Sequence, residues 1–238
     1  MKTTLTTVLI IAGIILLAGC AQLSNSSAST DASIIWDITD SMMVTPKLSE
    51  ITSLYSLDKD IWDEGKFRLL NVTDVSINKI YEASIESENE WLSNKFKRND
   101  KVKKFYSAIN EILSEALKQK IGKDNSSLYF PITKELNRLS ISKASKRVML
   151  IYSDMMENTD EMSFYNTGTL SLLRTNPGSV KKYFESQLKL ENLTGIKIYL
   201  VFQPLNMKQD EVYKVVFGFY KDIFESKGAT VEITANIN

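Results

Sequence analysis

Three short, strongly apolar runs, separated by amphipathic helical stretches, constrain the fold of this sequence most. The runs lie at 34–38 (IIWDI), 147–152 (RVMLIY) and 196–202 (IKIYLVF). Such runs are typical of strands buried on both faces of a parallel sheet. The stretch 102–117 carries one apolar stripe at helical spacing. Strands that alternate with helices of ten or more residues predict an α/β fold with a parallel-rich sheet covered on both faces.

Weaker patterns complete the predicted fold. Residues 67–72 are a further strand candidate, and 78–85 alternate in the manner of an antiparallel edge strand. Asp100 is predicted to cap the helix that follows it, and Pro131 to open a helix that ends at Leu139. We therefore expect one three-layer α-β-α open sheet, mostly parallel, with one antiparallel edge strand. No internal repeat or second core is visible in the sequence.

Composition and charge exclude several kinds of function. The chain has 238 residues, with 29 Lys plus Arg, 29 Asp plus Glu, one Cys and no His. A chain without His cannot build a Ser-His-Asp or Cys-His catalytic centre, nor a zinc site that uses His. One Cys cannot form an intrachain disulfide or a four-Cys metal site. The balanced charge argues against nucleic-acid binding, which depends on a strong positive field.

The first twenty residues have the pattern of a secretion signal. Lys2 precedes an apolar run at 8–18, which is shorter than the roughly 20 residues that span a bilayer and fits the central region of a signal peptide. Leu17-Ala18-Gly19-Cys20 follows and resembles the bacterial lipobox, in which the chain is cut before the Cys and the Cys is lipidated. The resemblance implies a signal peptide at 1–19 and an acylated Cys20. The alternative is an uncleaved N-terminal membrane anchor.

Small polar residues at 21–33 (AQLSNSSASTDAS) predict that 20–33 is a flexible tether and that the folded domain occupies 34–238. The lipoprotein resemblance implies an extracytoplasmic domain that is attached to a bacterial cell membrane through lipid on Cys20. Ala21 follows the Cys. In organisms with two membranes an Asp there would retain the protein, so the resemblance implies the outer membrane in that case.

Oxygen-bearing side chains follow two of the strong strands. Asp37, Thr39 and Ser41 leave the first strand at alternate positions, and Ser153 and Asp154 close another. Ligands of open α/β sheets bind at the carboxyl ends of the strands. Carboxylate and hydroxyl oxygens suit a hard divalent cation such as Mg²⁺. The sequence therefore predicts a cation site at this edge of the sheet.

These residues carry a resemblance to a known family. Asp37-x-Thr39-x-Ser41 resembles the Asp-x-Ser/Thr-x-Ser signature of von Willebrand factor type A domains, the core of their metal-ion-dependent adhesion site. Ser126 lies just before a predicted helix and resembles the loop residue that supplies the family's third hydroxyl ligand. Asp154, at the tip of its strand, resembles the family's second acid. The three parts occur in the family's order.

The resemblance covers roughly 34–234 and implies a six-stranded sheet with one antiparallel edge strand. It also implies that the five residues above hold Mg²⁺ (or Mn²⁺ or Ca²⁺), with an open coordination position that takes a carboxylate from a protein partner. Such a protein binds and does not catalyse. The sequence departs from the family in two places: Ser126 or Ser127 stands where Thr is usual, and Met155, not Gly, follows Asp154.

Three alternatives remain open at this point. In a degenerate site the hydroxyls would cap helices and Asp37 would accept backbone N–H groups. A structural envelope module could instead use an apolar surface formed by Met155-Met156 and Phe164-Tyr165, unless these residues pack against the sheet. The strand-Asp37-x-Thr39 pattern is also similar to the opening of haloacid-dehalogenase-like phosphatases, in which the Asp is a nucleophile. Those enzymes need a late acid, whereas Gln203 and Pro204 follow the third strong strand.

A basic cluster at 95–104 (KFKRNDKVKK) has two interpretations. It could meet anionic lipid headgroups or nucleic acid. The simpler interpretation is a solvated turn and helix start, since Glu86, Glu88 and Glu90 offset part of the positive charge. We expect no nucleic-acid partner.

Overall fold

The computed structural model describes residues 28–39, 44–72, 79–119 and 126–237. The described strands are β1 (Ser29–Asp37), β2 (Glu64–Val72), β3 (Ile80–Ile85), β4 (Lys146–Tyr152), β5 (Ile196–Val201) and β6 (Thr230–Thr234). The described helices are α1 (Leu48–Thr52), α2 (Lys95–Ala116), α3 (Tyr129–Ser140), α4 (Thr167–Thr175), α5 (Pro177–Gln187) and α6 (Met207–Glu225). Within these ranges no helix has the length and apolar character needed to cross a bilayer. The predicted signal peptide, Cys20, Ser41 and most of the tether lie outside the described residues.

The six strands form one sheet in the order β3-β2-β1-β4-β5-β6. All neighbouring strands are parallel except β2 and β3, which pair antiparallel. The predicted α/β sheet with one antiparallel edge strand is therefore confirmed. We call the edge at which the parallel strands begin the amino edge, and the edge at which they end the carboxyl edge. The central position of β1 places its last residues in the middle of the carboxyl edge.

Helices cover both faces of the sheet, because alternate side chains of the central strands feed two separate apolar cores. Ile35 of β1 packs with the α3 to α6 side, whereas Ile34 and Trp36 pack with the α1 and α2 side. This is the three-layer arrangement that the apolar runs predict. The prediction is less accurate for β5, where Lys197 and Tyr199 are only half-buried. Lys197 forms an ion pair of 3.0 Å there with Glu232 of β6.

The predicted tether extends too far along the chain. Residues 29–33 belong to β1, and Asp31 and Ser33 are buried in it despite their polarity. Arg138 of α3 donates two hydrogen bonds of 2.8 and 2.9 Å to the Asp31 carboxylate. Burial alone would raise the pKa of Asp31, but hydrogen bonds from Arg138 and Ser142 hold it below its usual range. Polar residues can thus form a central strand when side chains of a distant helix hydrogen-bond to them. Local composition does not reveal such hydrogen-bond partners.

The sequence also misplaces the start of one helix and misses another helix. Helix α2 begins at Lys95 and not after Asp100, because the Asn94 side chain caps it by accepting hydrogen bonds from the backbone N–H groups of Phe96 and Lys97. Helix α4 has no counterpart in the sequence prediction. It is a short helix with one buried side chain, Leu173, so its apolar pattern is too sparse to be recognised.

Candidate metal centre at the carboxyl edge

The ends of β1 and β4 adjoin at the carboxyl edge. Trp36 of β1 is in register with Tyr152 of β4, so Asp37 and Ser153 come next on neighbouring strands. The Ser153 hydroxyl donates a hydrogen bond of 3.0 Å to Asp37 Oδ2. Sequence reasoning noted Ser153 but gave it no role, since only the strand order shows that it faces Asp37. Asp37 and Asp154 therefore leave adjacent strands at the same edge.

Asp37 is a buried carboxylate that organises the chain leaving β1. Its Oδ1 accepts hydrogen bonds from the Thr39 backbone N–H at 3.1 Å and from the Thr39 hydroxyl at 2.7 Å. With the bond from Ser153, this carboxylate accepts at least three hydrogen bonds, all three of them from residues that the structure describes. Thr39 is half-buried and lies beside it. Ser41, the next predicted ligand, lies outside the described residues.

Asp154 sits in a tight turn at the end of β4. Its Oδ1 accepts a hydrogen bond of 2.9 Å from the backbone N–H of Met156, and its Oδ2 accepts one of 3.3 Å from the Tyr165 hydroxyl. Met155, the residue between Asp154 and Met156, has a φ of 60°. This is the left-handed region that favours glycine and that other L-residues enter at a cost of roughly 1–2 kcal/mol. Met155 keeps that backbone because its side chain is fully buried in the core.

Ser126 is joined to the loop that follows Asp154. Two backbone hydrogen bonds link Ser126 and Asn158, from Ser126 N to Asn158 O at 3.0 Å and from Asn158 N to Ser126 O at 2.8 Å. The Ser126 hydroxyl donates at 3.4 Å to the carbonyl oxygen of Met156. The structure thus brings four of the five predicted ligands, Asp37, Thr39, Ser126 and Asp154, to one edge of the sheet.

Glu157 supports this edge, and sequence reasoning did not find it. Its side chain is 2% exposed, and Oε2 accepts hydrogen bonds of 2.9 Å from the backbone N–H groups of Leu128 and Tyr129 at the start of α3. The Tyr220 hydroxyl donates to the same oxygen at 3.4 Å. Burial raises the pKa of Glu157 to about 7, although these hydrogen bonds and one from Ser127 lower it. No local pattern identifies this role, because the capped helix lies 29 residues away.

The apolar side chains around the edge mostly face the core. Met155, Met156 and Phe164 are buried, whereas Tyr165 is exposed. Loop packing against the sheet is therefore the correct interpretation for the first three, and the predicted apolar surface made from all four is wrong. A cleft of about 380 Å³ opens beside Ser127 and Glu157, between Phe130 and Tyr183.

The donors at this edge are suited to a hard cation, but the carboxylates alone do not make a site. Across the described ranges, no group of three or more Asp, Glu, Cys or His side chains is close enough to hold a metal ion. A cation here would depend on hydroxyl oxygens together with Asp37 and Asp154, which is a donor set that Mg²⁺ accepts and usually completes with water.

No protein-family model matches the chain, and no curated protein matches it.

Proposed function

We propose that this protein is a lipid-anchored, extracytoplasmic binding module related to von Willebrand factor type A domains. It binds a protein partner through a divalent cation, Mg²⁺ or alternatively Mn²⁺ or Ca²⁺, at the carboxyl edge. Asp37, Thr39, Ser41, Ser126 and Asp154 hold the cation. A carboxylate from the partner completes the coordination, and no catalytic step is involved.

The observation that carries this proposal is the meeting of Asp37 and Asp154 at adjacent strand ends. The Ser153 hydroxyl links the two positions by its hydrogen bond to Asp37. Ser126 reaches the same edge through its backbone pairing with Asn158. Carboxylate and hydroxyl side chains that are separated by almost 120 positions in the sequence thus lie at neighbouring strand ends, which supports a shared ligand.

Two features of the fold agree with the family resemblance. The sheet has six strands, and its antiparallel member lies at one edge, as the resemblance implies. The residue after Asp154, where the family usually has Gly, takes the left-handed backbone conformation that favours Gly. Here a buried Met adopts that conformation. The departure in sequence therefore leaves the shape of this turn compatible with the resemblance.

The contacts favour Ser126 over Ser127 as the third hydroxyl ligand. Ser127 donates its side-chain hydrogen bond to Glu157, which caps α3. Among the described residues, the Ser126 hydroxyl makes a long contact of 3.4 Å with the carbonyl oxygen of Met156, two residues beyond Asp154. Its hydroxyl oxygen therefore retains lone pairs that a cation can use.

Isothermal titration calorimetry of the full chain in detergent micelles tests the cation. We expect Mg²⁺ or Mn²⁺ to bind with a stoichiometry of one, and Asp154→Asn to weaken binding by at least roughly tenfold, since it removes a charged ligand. Asp160→Asn is the matched control, because it removes an exposed carboxylate from the same loop. Its affinity should equal that of the wild type. Equal weakening by both variants would mean that the cation responds to general charge and not to this site.

A metal-free module is the second candidate, and the hydrogen bonds of Asp37 favour it. Three donors already satisfy this carboxylate, and one of them is the hydroxyl of a predicted ligand, Thr39. This candidate predicts no heat of cation binding. It also predicts that partner capture from an envelope extract is the same with and without chelator, and that Asp154→Asn leaves capture unchanged.

A phosphatase is a weaker third candidate. Asp37 would have to act as a nucleophile, but the sequence after β5 offers Phe202, Gln203 and Pro204 and no acid at the strand tip. Hydrolysis of an aryl phosphate that disappears in Asp37→Asn would favour it over a binding role.

The lipid anchor has its own test. Cys20→Ala should remove the acyl groups detected by mass spectrometry and release the domain from the membrane fraction, because several acyl chains provide the firm attachment. Ser24→Ala, in the same segment, is the control and should stay acylated. A Cys20→Ala protein that remains with the membrane as the wild type does would instead indicate an uncleaved N-terminal anchor.

A further inference from the structure

Three large apolar side chains project from the turn before α2 and from its first residues. Trp91, Leu92 and Phe96 are 92%, 86% and 84% exposed, and we call them the aromatic tip. The tip is held in place and is not a loose end of chain. Asn89 accepts a hydrogen bond of 2.9 Å from the Trp91 backbone, and Asn94 caps α2 at Phe96. Single exposed apolar residues are common, but a cluster of them marks a surface that another phase or molecule covers.

The aromatic tip lies at the amino edge, where the chain enters β1. The backbone N–H of Glu64 donates to the Ala28 carbonyl oxygen at 3.0 Å, which fixes the start of β1 beside the start of β2. Asp63 directly precedes Glu64, and its carbonyl oxygen accepts a hydrogen bond of 2.6 Å from Arg98, in the first turn of α2. This chain of contacts joins Ala28 to α2. The tip and the entry of the tether therefore share one end of the domain.

The charges beside the tip suit an anionic surface. Lys95 and Lys97 flank Phe96, and both are exposed. Glu90 precedes Trp91, so the positive charge gathers at the α2 side of the tip. Lysines beside an exposed Trp and Phe are typical of segments that lie in the headgroup region of a membrane, where the rings enter the interface and the ammonium groups meet phosphate. Ile141 is also highly exposed at the amino edge, next to Ser142 and Lys143.

We propose that the aromatic tip inserts into the headgroup region of the bilayer that holds the lipid anchor. This inference rests on the proposed acylation of Cys20. Ala28 lies eight positions after Cys20, so the anchor keeps the amino edge within about 30 Å of the bilayer. The tip gives the domain a fixed orientation. The candidate metal centre then faces away from the membrane, since it lies at the other end of a nine-residue strand that is roughly 30 Å long.

The tryptophans of this chain provide a direct readout. Of the three, Trp36 and Trp62 are buried, so Trp91 is the exposed one. The lipidated full chain is reconstituted in vesicles of phosphatidylethanolamine and phosphatidylglycerol that carry bromine near the headgroup end of the acyl chains. We expect bromine to quench the emission of Trp91 and the emission to move to shorter wavelength. Trp91→Phe, which removes the reporter, should lose the quenched component.

Variants that keep Trp91 test whether the tip itself drives insertion. The double variant Leu92→Ser with Phe96→Ser should lose most of the quenching while it stays acylated and bound to vesicles. Met207→Ser is the matched control, because Met207 is 84% exposed at the carboxyl edge and should leave quenching unchanged. Circular dichroism confirms that each variant is folded before it is compared.

Three results would overturn the inference, and they can be told apart. Acylated protein that floats with the vesicles while Trp91 stays unquenched rejects the tip and leaves the anchor intact. A chain whose mass shows no acyl group rejects the anchor, and the inference with it. Shielding of Trp91 from iodide that rises with protein concentration in detergent, without vesicles, would assign the tip to contact between protein molecules.

Discussion

Replacing Arg98 with Met should lower the free energy of unfolding by about 3–5 kcal/mol, the cost of removing one partner from a buried charged network. Arg98 is 1% exposed. Its guanidinium donates to the carbonyl oxygens of Ile61, Asp63 and Glu86 and contacts the Glu88 carboxylate at 3.4 Å. Met fills the volume but leaves buried carbonyl oxygens without a donor. Urea denaturation monitored by circular dichroism measures the change.

Two further variants show whether the hydrogen bonds of the Arg98 guanidinium are responsible for the loss of stability. Lys97→Met makes the same substitution at the neighbouring exposed position and should alter the free energy of unfolding by no more than about 0.5 kcal/mol. Arg98→Lys keeps the charge but cannot reach several carbonyl oxygens at once, so it should be nearly as destabilising as Arg98→Met. An Arg98→Met protein as stable as Lys97→Met would contradict the structural role assigned to this side chain.

The stability of the wild type should fall relative to Glu157→Gln as the pH rises from about 4.5 to 7. The folded protein raises the pKa of Glu157 from its ordinary value of 4.5 to about 7, chiefly through burial. The folded state therefore binds the proton more tightly than the unfolded state. The resulting stabilisation is complete below pH 4.5, declines through this window and is absent above pH 7. The full change is about 3 kcal/mol, since each pKa unit corresponds to roughly 1.4 kcal/mol.

The measurement is the difference in the free energy of unfolding between wild type and Glu157→Gln at a series of pH values. Other groups also titrate, and the lowered pKa of Asp31 has the opposite effect, because it favours the folded state as the pH rises. The difference between the two proteins removes those shared contributions. EDTA keeps cations from the neighbouring candidate site. Glu161→Gln, which removes an exposed carboxylate from the same loop, should follow the wild type. A constant difference between wild type and Glu157→Gln would contradict the predicted linkage.

Much of the fold is predictable from local patterns. Strands β1, β2, β4 and β5 follow apolar runs, and β3 follows a weaker alternation that correctly indicates an antiparallel edge. The errors occur where polar side chains find distant partners. Asp31 and Ser33 are assigned to a tether by composition, but Arg138 and Glu135 of α3 satisfy them inside the sheet. A local pattern does not contain that partner.

The candidate ligands are predictable from the sequence, but the contacts between them are not. Asp37, Thr39, Ser126 and Asp154 are recognisable because each ends a strand, follows a strand or precedes a helix, and the fold brings them to one edge. Ser153 acquires a role only when β1 and β4 are known to be neighbours. The buried Met155 shows how a position can depart from the expected Gly and still take a left-handed backbone.

The sequence by itself determines the kind of layers this chain forms and the oxygen chemistry at the ends of its strands, because hydrophobic periodicity and residue type act over a few neighbouring positions. Only the tertiary structure decides which distant polar groups meet. It brings the carboxylate of Glu157 to the backbone N–H groups at the start of α3, and the guanidinium of Arg98 to three carbonyl oxygens. It also leaves Trp91, Leu92 and Phe96 outside both cores. Burial of a polar group requires a partner, and the exposure of an apolar one requires that no element cover it; both depend on how the whole chain packs.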